Sequence, residues 1–134
     1  MDLKKILIFI FFFNITNYYA YSIEPDVFVQ STVNRASQIL SKNITKDKKI
    51  DQLRAIAKET VDIKGVGMYS LGSARKKLDD NQKKQYFILF ENYFLKSFSS
   101  RLAEYTNPEI NVKGKELINT NYTIVNSVLV ATSE

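Results

Sequence analysis

Between Tyr86 and Tyr105 the chain places nine large side chains around more of a helix's circumference than one interface can cover: Tyr86, Phe87, Leu89, Phe90, Tyr93, Phe94, Phe98, Leu102 and Tyr105. A helix that packs on one neighbour carries a single apolar stripe. Here the side holding Gln85, Asn92, Lys96 and Ser99 reads as the wet one, and Ile88 intrudes even there. Asp79 or Asp80 is placed to cap the start. Such a helix needs cover on two flanks. One flank can pack on other helices. The second calls for a sheet, or for a ligand with an apolar body.

The segments before it are helical in period. Pro25 suits a first turn, and Glu24 and Asp26 suit a helix N-terminus. From Asp26 to Lys42 the apolar set Phe28, Val29, Val33, Ala36, Ile39 and Leu40 lies opposite Gln30, Ser31, Asn34, Arg35, Gln38 and Lys42, which is an amphipathic helix. Thr45 or Asp47 can cap a second helix to about Lys58, with the stripe Ile50, Leu53, Ile56, Ala57 and Val61. Asp62 can cap a third, Ile63–Leu71, which Gly72 would end with a positive φ. Gly65-Val66-Gly67 lacks the spacing of a phosphate cradle and reads as a place for close helix packing.

After Asn107-Pro108, which breaks the long helix, the period changes. Ile110, Val112, a turn-prone Gly114 and Leu117 read as a strand or strand pair. Asn119-Thr120-Asn121 is a turn signal. Tyr122–Ala131 is β-rich, with Tyr122, Ile124, Asn126, Val128 and Val130 on one side and Thr123, Val125, Ser127, Leu129 and Ala131 on the other. The expected class is α+β: about four helices, then an antiparallel β-hairpin that begins a larger twisted sheet. The last strand would carry an open apolar edge, an aggregation hazard.

Composition removes most chemistry. The 134 residues contain no Cys and no His, so thiolate nucleophiles, His general bases and Ser-His-Asp triads are impossible. Zinc normally needs those same residues; no metal site, cofactor or catalytic set is expected. Asp79-Asp80, Glu91 and Glu104 are the acids nearest to a cluster, and the pair reads as a helix cap. The net charge is +5. Lys4 and Lys5 against Asp2 account for one unit, which leaves four on residues 23–134. The lysines are scattered, often beside acids, so the charge reads as a mildly cationic solvated surface, with a weak attraction to anionic membrane headgroups as the lesser reading, rather than the concentrated face of a nucleic-acid binder.

Residues 1–22 have the order of a secretory leader: basic Met1–Lys5, the apolar run Ile6–Phe13, then a polar stretch ending Ala20-Tyr21-Ser22. The run is too short to span a bilayer, which takes ~20 residues. Cleavage is expected after Ser22, giving an exported mature chain. Three Asn-x-Thr sequons, at Asn14, Asn43 and Asn121, matter only in a host that glycosylates its exports.

The serial order over residues 23–131 resembles the MlaC or toluene-tolerance family. The residues that carry the resemblance are the leader followed by Pro25-Asp26-Val27-Phe28-Val29, and the Asp62 stretch ending Ser70-Leu71-Gly72. Above all there is Asp79-Asp80-Asn81-Gln82-Lys83-Lys84-Gln85-Tyr86-Phe87-Ile88-Leu89-Phe90-Glu91-Asn92-Tyr93-Phe94, with Tyr105 closing the long helix and Val112-Lys113-Gly114-Lys115-Glu116 as first strand. The resemblance implies a periplasmic phospholipid carrier that serves an ABC-type intermembrane transport system, with membrane-bound transport components as partners. Family members continue with further strands and helical segments. The chain therefore reads as the N-terminal portion, residues 23–134, of one such domain.

A carrier needs only a greasy cavity, since burying an acyl chain is worth ~0.8 kcal/mol per CH₂. The candidate wall is Val66, Leu71, Phe87, Phe90, Phe94, Phe98, Val125 and Leu129, with acyl chains between the aromatic helix and the sheet. Each of these also suits ordinary core packing. A small exported interaction protein, its aromatic helix docked on a partner, is the reading from another class. A vestigial fragment is the third.

Overall fold

The computed structural model describes residues 22–106 and 108–130. The leader therefore lies outside the described residues, apart from Ser22. Helix α1 runs Pro25–Leu40, α2 Lys46–Thr60, α3 Ile63–Leu71 and α4 Asp80–Leu102, with a short 3₁₀ turn, Gly72–Lys76, before α4. Strands β1 (Glu109–Asn119) and β2 (Tyr122–Val130) follow as an antiparallel hairpin. The class is α+β, as the change of period implies.

The caps are where the sequence puts them. Thr45 accepts from the Lys48 N–H and Asp62 from the Gly65 N–H. At the head of α4, Asp79 accepts from the Gln82 N–H while the Gln82 side chain accepts from the Asp79 N–H, a complete capping box. Gly72 ends α3 with φ +52 and ψ −129, a backbone region only glycine enters without strain. The last turn of α4 stops at Leu102 rather than Tyr105, because Pro108 close ahead forces the chain out of helical geometry.

The core sits where α1, α2 and the C-terminal half of α4 meet. Ile39, Leu40, Leu53 and Ile56 form it, and Leu102 and Ala103 pack against it. Lys49 reaches the C-terminus of α1 and donates to the Leu40 carbonyl at 2.5 Å, where a cation suits the helix dipole. The expected wet side of α4 is corrected here. Gln85, Asn92 and Lys96 are exposed, but Ser99 is 0% exposed. Leu95, Ser99 and Leu102 fall four and three residues apart, so they form the stripe that meets α2. Ser99 is small enough to bring the two backbones together, and its hydroxyl is satisfied within the helix by the Leu95 carbonyl.

Gly114 is not a turn. β1 is continuous across it, and Lys113 is an extra residue between the pairs Val112↔Ser127 and Gly114↔Asn126. The bulge keeps Ile110, Val112, Lys115, Thr123, Val125 and Leu129 on one face. That face lies on α1. Lys115 bridges Glu24 and, at 2.9 Å, Asp26 at the head of α1, and Ser37 near its foot donates to the Pro108 carbonyl at 3.3 Å. β1 thus runs antiparallel to α1. The other face carries exposed Ile124, Val128 and Val130.

Candidate functional site: the aromatic face of helix 4

Successive aromatic residues on α4 are spaced four apart and stack along its axis. The rings of Phe90 and Phe94 are 6.2 Å apart at 22°, and those of Phe94 and Phe98 5.4 Å apart at 10°. Tyr86 extends the row, 5.6 Å from Phe90, and Phe87 meets Tyr86 edge-on at 5.5 Å. Offset stacking at these distances is favourable beyond simple burial. The row therefore holds its shape without a second element lying on it.

Helix α3 covers one end of the row. Gly67 sits directly over Phe90, and a Cβ at that position would stand 2.9 Å from the ring. The Tyr86 hydroxyl donates to the Gly67 carbonyl at 3.1 Å. Lys64 lies over the Phe87 ring at 5.7 Å, within cation–π range. Toward Phe98 the row is progressively uncovered: Phe94 is half-buried and Phe98 exposed.

The expectation of a sheet on the second flank of α4 is not met. The hairpin makes its extensive contacts with α1, whereas α4 packs on α2 and α3. Beyond the stacked row, Leu89 and Tyr93 are each 69% exposed. The physical reason is the Lys115 clasp together with the Ile110 and Val112 face, which commit the hairpin to α1.

The eight wall residues read from the sequence accordingly fall into two groups. Val66 and Leu71 on α3 and Phe87, Phe90, Phe94 and Phe98 on α4 belong to one packed unit, with Val66 exposed and Leu71 half-buried. Val125, half-buried, and Leu129, exposed, lie on the hairpin face turned to α1.

Sequence reasoning missed a second feature. A cleft of about 460 Å³ opens between the starts of α3 and α4. Its floor is Ile63, Phe87 and Ile88, and its rim holds Lys64, Lys83 and Lys84 beside Asp80 and Glu91. Lys64 is remote in sequence from Lys83 and Lys84, so no local pattern could reveal the grouping.

Charged contacts elsewhere are fasteners on the surface. Glu24 and Asp26 hold the Lys115 ammonium above the ordinary lysine value, and hydrogen bonding to Lys115 holds the Asp26 carboxyl below its own. Arg35 on α1 grips Glu59 on α2 with two hydrogen bonds of 2.7 and 2.6 Å, which raises the guanidinium and lowers the carboxyl. Among the described residues no group of acids could hold a metal ion, and no helix is long and apolar enough to cross a membrane.

No curated protein and no solved structure gives a significant match to the chain. A family model described as MlaC protein matches residues 30–134, which takes in every helix beyond the first turn of α1 and the whole hairpin, and the chain belongs to the MlaC family.

Proposed function

We propose that this chain is a non-catalytic, exported lipid-binding protein that holds phospholipid acyl chains against the aromatic face of α4 and exchanges them with membrane-bound lipid-transport components. One observation carries the reading: in a member of the MlaC family, a preformed row of stacked rings, Phe90, Phe94 and Phe98, stands half-open among the described residues. A rigid apolar rail suits a flexible chain of methylenes, which gains ~0.8 kcal/mol for each CH₂ buried and needs no catalytic group. Val66, Leu71 and Phe87 would extend the wall toward α3. Val125 and Leu129, on the hairpin face turned to α1, stand apart from this wall. The leader order of residues 1–22 supports export to the periplasm with cleavage after Ser22.

Solvent extraction of the purified exported chain, followed by lipid mass spectrometry, tests this. Near-stoichiometric phospholipid is expected in the native protein, and a large loss in a Phe94→Ala, Phe98→Ala double variant. Lipid-free protein would overturn the reading. The exposure of Leu89 and Tyr93 favours one alternative, a docking helix for an envelope protein. That reading predicts a stable complex in a pull-down and no extractable lipid.

A further inference from the structure

We propose that the corner formed by α3, the 3₁₀ turn and the start of α4 is a docking surface for an anionic lipid bilayer. Residues 62–84 carry six cations, Lys64, Arg75, Lys76, Lys77, Lys83 and Lys84, against Asp62, Asp79 and Asp80. They thus hold three of the four net positive charges on residues 23–134. Folding brings three of these cations together, because the α3–α4 packing gathers Lys64, Lys83 and Lys84 around one cleft.

The acids of this corner are already engaged. Asp62 and Asp79 cap helices, Asp80 pairs with Lys83 at 3.4 Å, and Glu91 pairs with Lys58 at 3.4 Å. Lys64, Lys84, Arg75, Lys76 and Lys77 have no carboxylate partner among the described residues and are all exposed. The field of this corner is therefore open to an external anion.

The chemistry around the cations selects a membrane. Five of the six are lysines, compact point charges rather than the planar forks that read a fixed phosphate or carboxylate. Three of them, Lys64, Lys83 and Lys84, line a cleft together with apolar Ile63, Phe87 and Ile88. Lysines whose stems rise past apolar side chains match the boundary between headgroups and acyl chains. An acidic protein would need matched carboxylates and would leave the apolar floor without a purpose.

The test is sedimentation of the full exported chain with vesicles of pure phosphatidylcholine and with vesicles containing phosphatidylglycerol. Binding to the anionic vesicles is expected, with little to the neutral ones, and high salt should abolish it. Near the surface each basic residue strengthens binding several-fold, so a Lys64→Glu, Lys83→Glu, Lys84→Glu variant should lose about 100-fold or more in partitioning. A Lys64→Gln, Lys83→Gln, Lys84→Gln variant, whose folding is checked by circular dichroism, should lose the greater part of it. The same charge change at Lys46, Lys48 and Lys113, remote from the corner, should cost far less.

Equal losses in the two Glu triples would overturn the proposal, as would absence of wild-type binding to anionic vesicles. So would binding to polyglutamate but not to vesicles, which would put an acidic protein there instead. Lipid content measured on the same samples reports on acyl-chain carriage separately, so either idea can fail without the other.

Discussion

The two long faces of α4 are built from opposite principles. On one, Leu95, Ser99 and Leu102 close against α2 and the Ile39, Leu40, Leu53 and Ile56 cluster with almost no water left between. On the other, rings that could bury far more area are stacked on each other and left half-open. The sealed face is made of small and aliphatic groups that allow close helix approach. The open face is made of groups that keep their geometry without a partner. The contrast teaches that the amount of apolar surface on a helix does not decide which side is the core; the side that admits a neighbour's backbone does.

Mutations should separate the faces, and the largest effect belongs to the sealed one. Leu53, 1% exposed at the centre of the cluster, should cost about 3 kcal/mol when changed to Ala, read from chemical denaturation, with lipid capture lost only through unfolding. Gly67→Val should come next, at about 2 kcal/mol, because the new side chain drives into the Phe90 ring and lifts α3 off the row. Phe98→Ala at the uncovered end should cost only about 1 kcal/mol, since much of that ring already meets water. It should weaken lipid retention more than Leu53→Ala does in the fraction that stays folded. The comparison breaks if Phe98→Ala proves as destabilising as Leu53→Ala. Asp79→Ala removes half the capping box and should cost about 1 kcal/mol, fraying the end of α4 that carries Tyr86 and Phe87.

The smallest effect is electrostatic and belongs to neither face. Asp26 and Glu59 have carboxyls held below their ordinary values by Lys115 and Arg35. Their contribution is present above the unfolded carboxylate range and is lost as pH falls through the lower folded value. The sign reverses for Lys115 and Arg35, whose raised values give stability below the unfolded range that fades at strongly alkaline pH. Melting temperature should therefore be flat near neutrality and dip below about pH 4, and the dip should shrink in high salt. Both ion pairs are well exposed, so a shift of a few degrees at most is expected.

Much of this architecture was legible because it is local. Caps at Thr45, Asp62 and Asp79, the end of α3 at Gly72 and the change of period after Pro108 each follow from a few neighbouring residues. What escaped was relational. Ser99 reads as polar and therefore wet, yet its size, not its hydroxyl, fits it to the sealed stripe. Gly114 reads as a turn, but a bulge at Lys113 absorbs it because the cross-strand pairs on both sides hold. The cover expected from the hairpin went to α1, since nothing in the strand sequence says which helix will hold Lys115. The six wall residues on α3 and α4 lie in one unit because their helices are consecutive; Val125 and Leu129 belong to a hairpin whose placement is a matter of tertiary choice.

The Lys115 clasp has a consequence for the order in which the molecule can assemble. Its two carboxylates lie 91 and 89 positions upstream, so the bond that fastens the hairpin closes nearly the whole described chain into one loop. Closing so long a loop is slow compared with coiling a helix. For a polypeptide delivered N-terminus first, the opening turn of α1 must wait with Glu24 and Asp26 unanswered until almost everything else has emerged. The earliest residues to arrive are among the last to be secured.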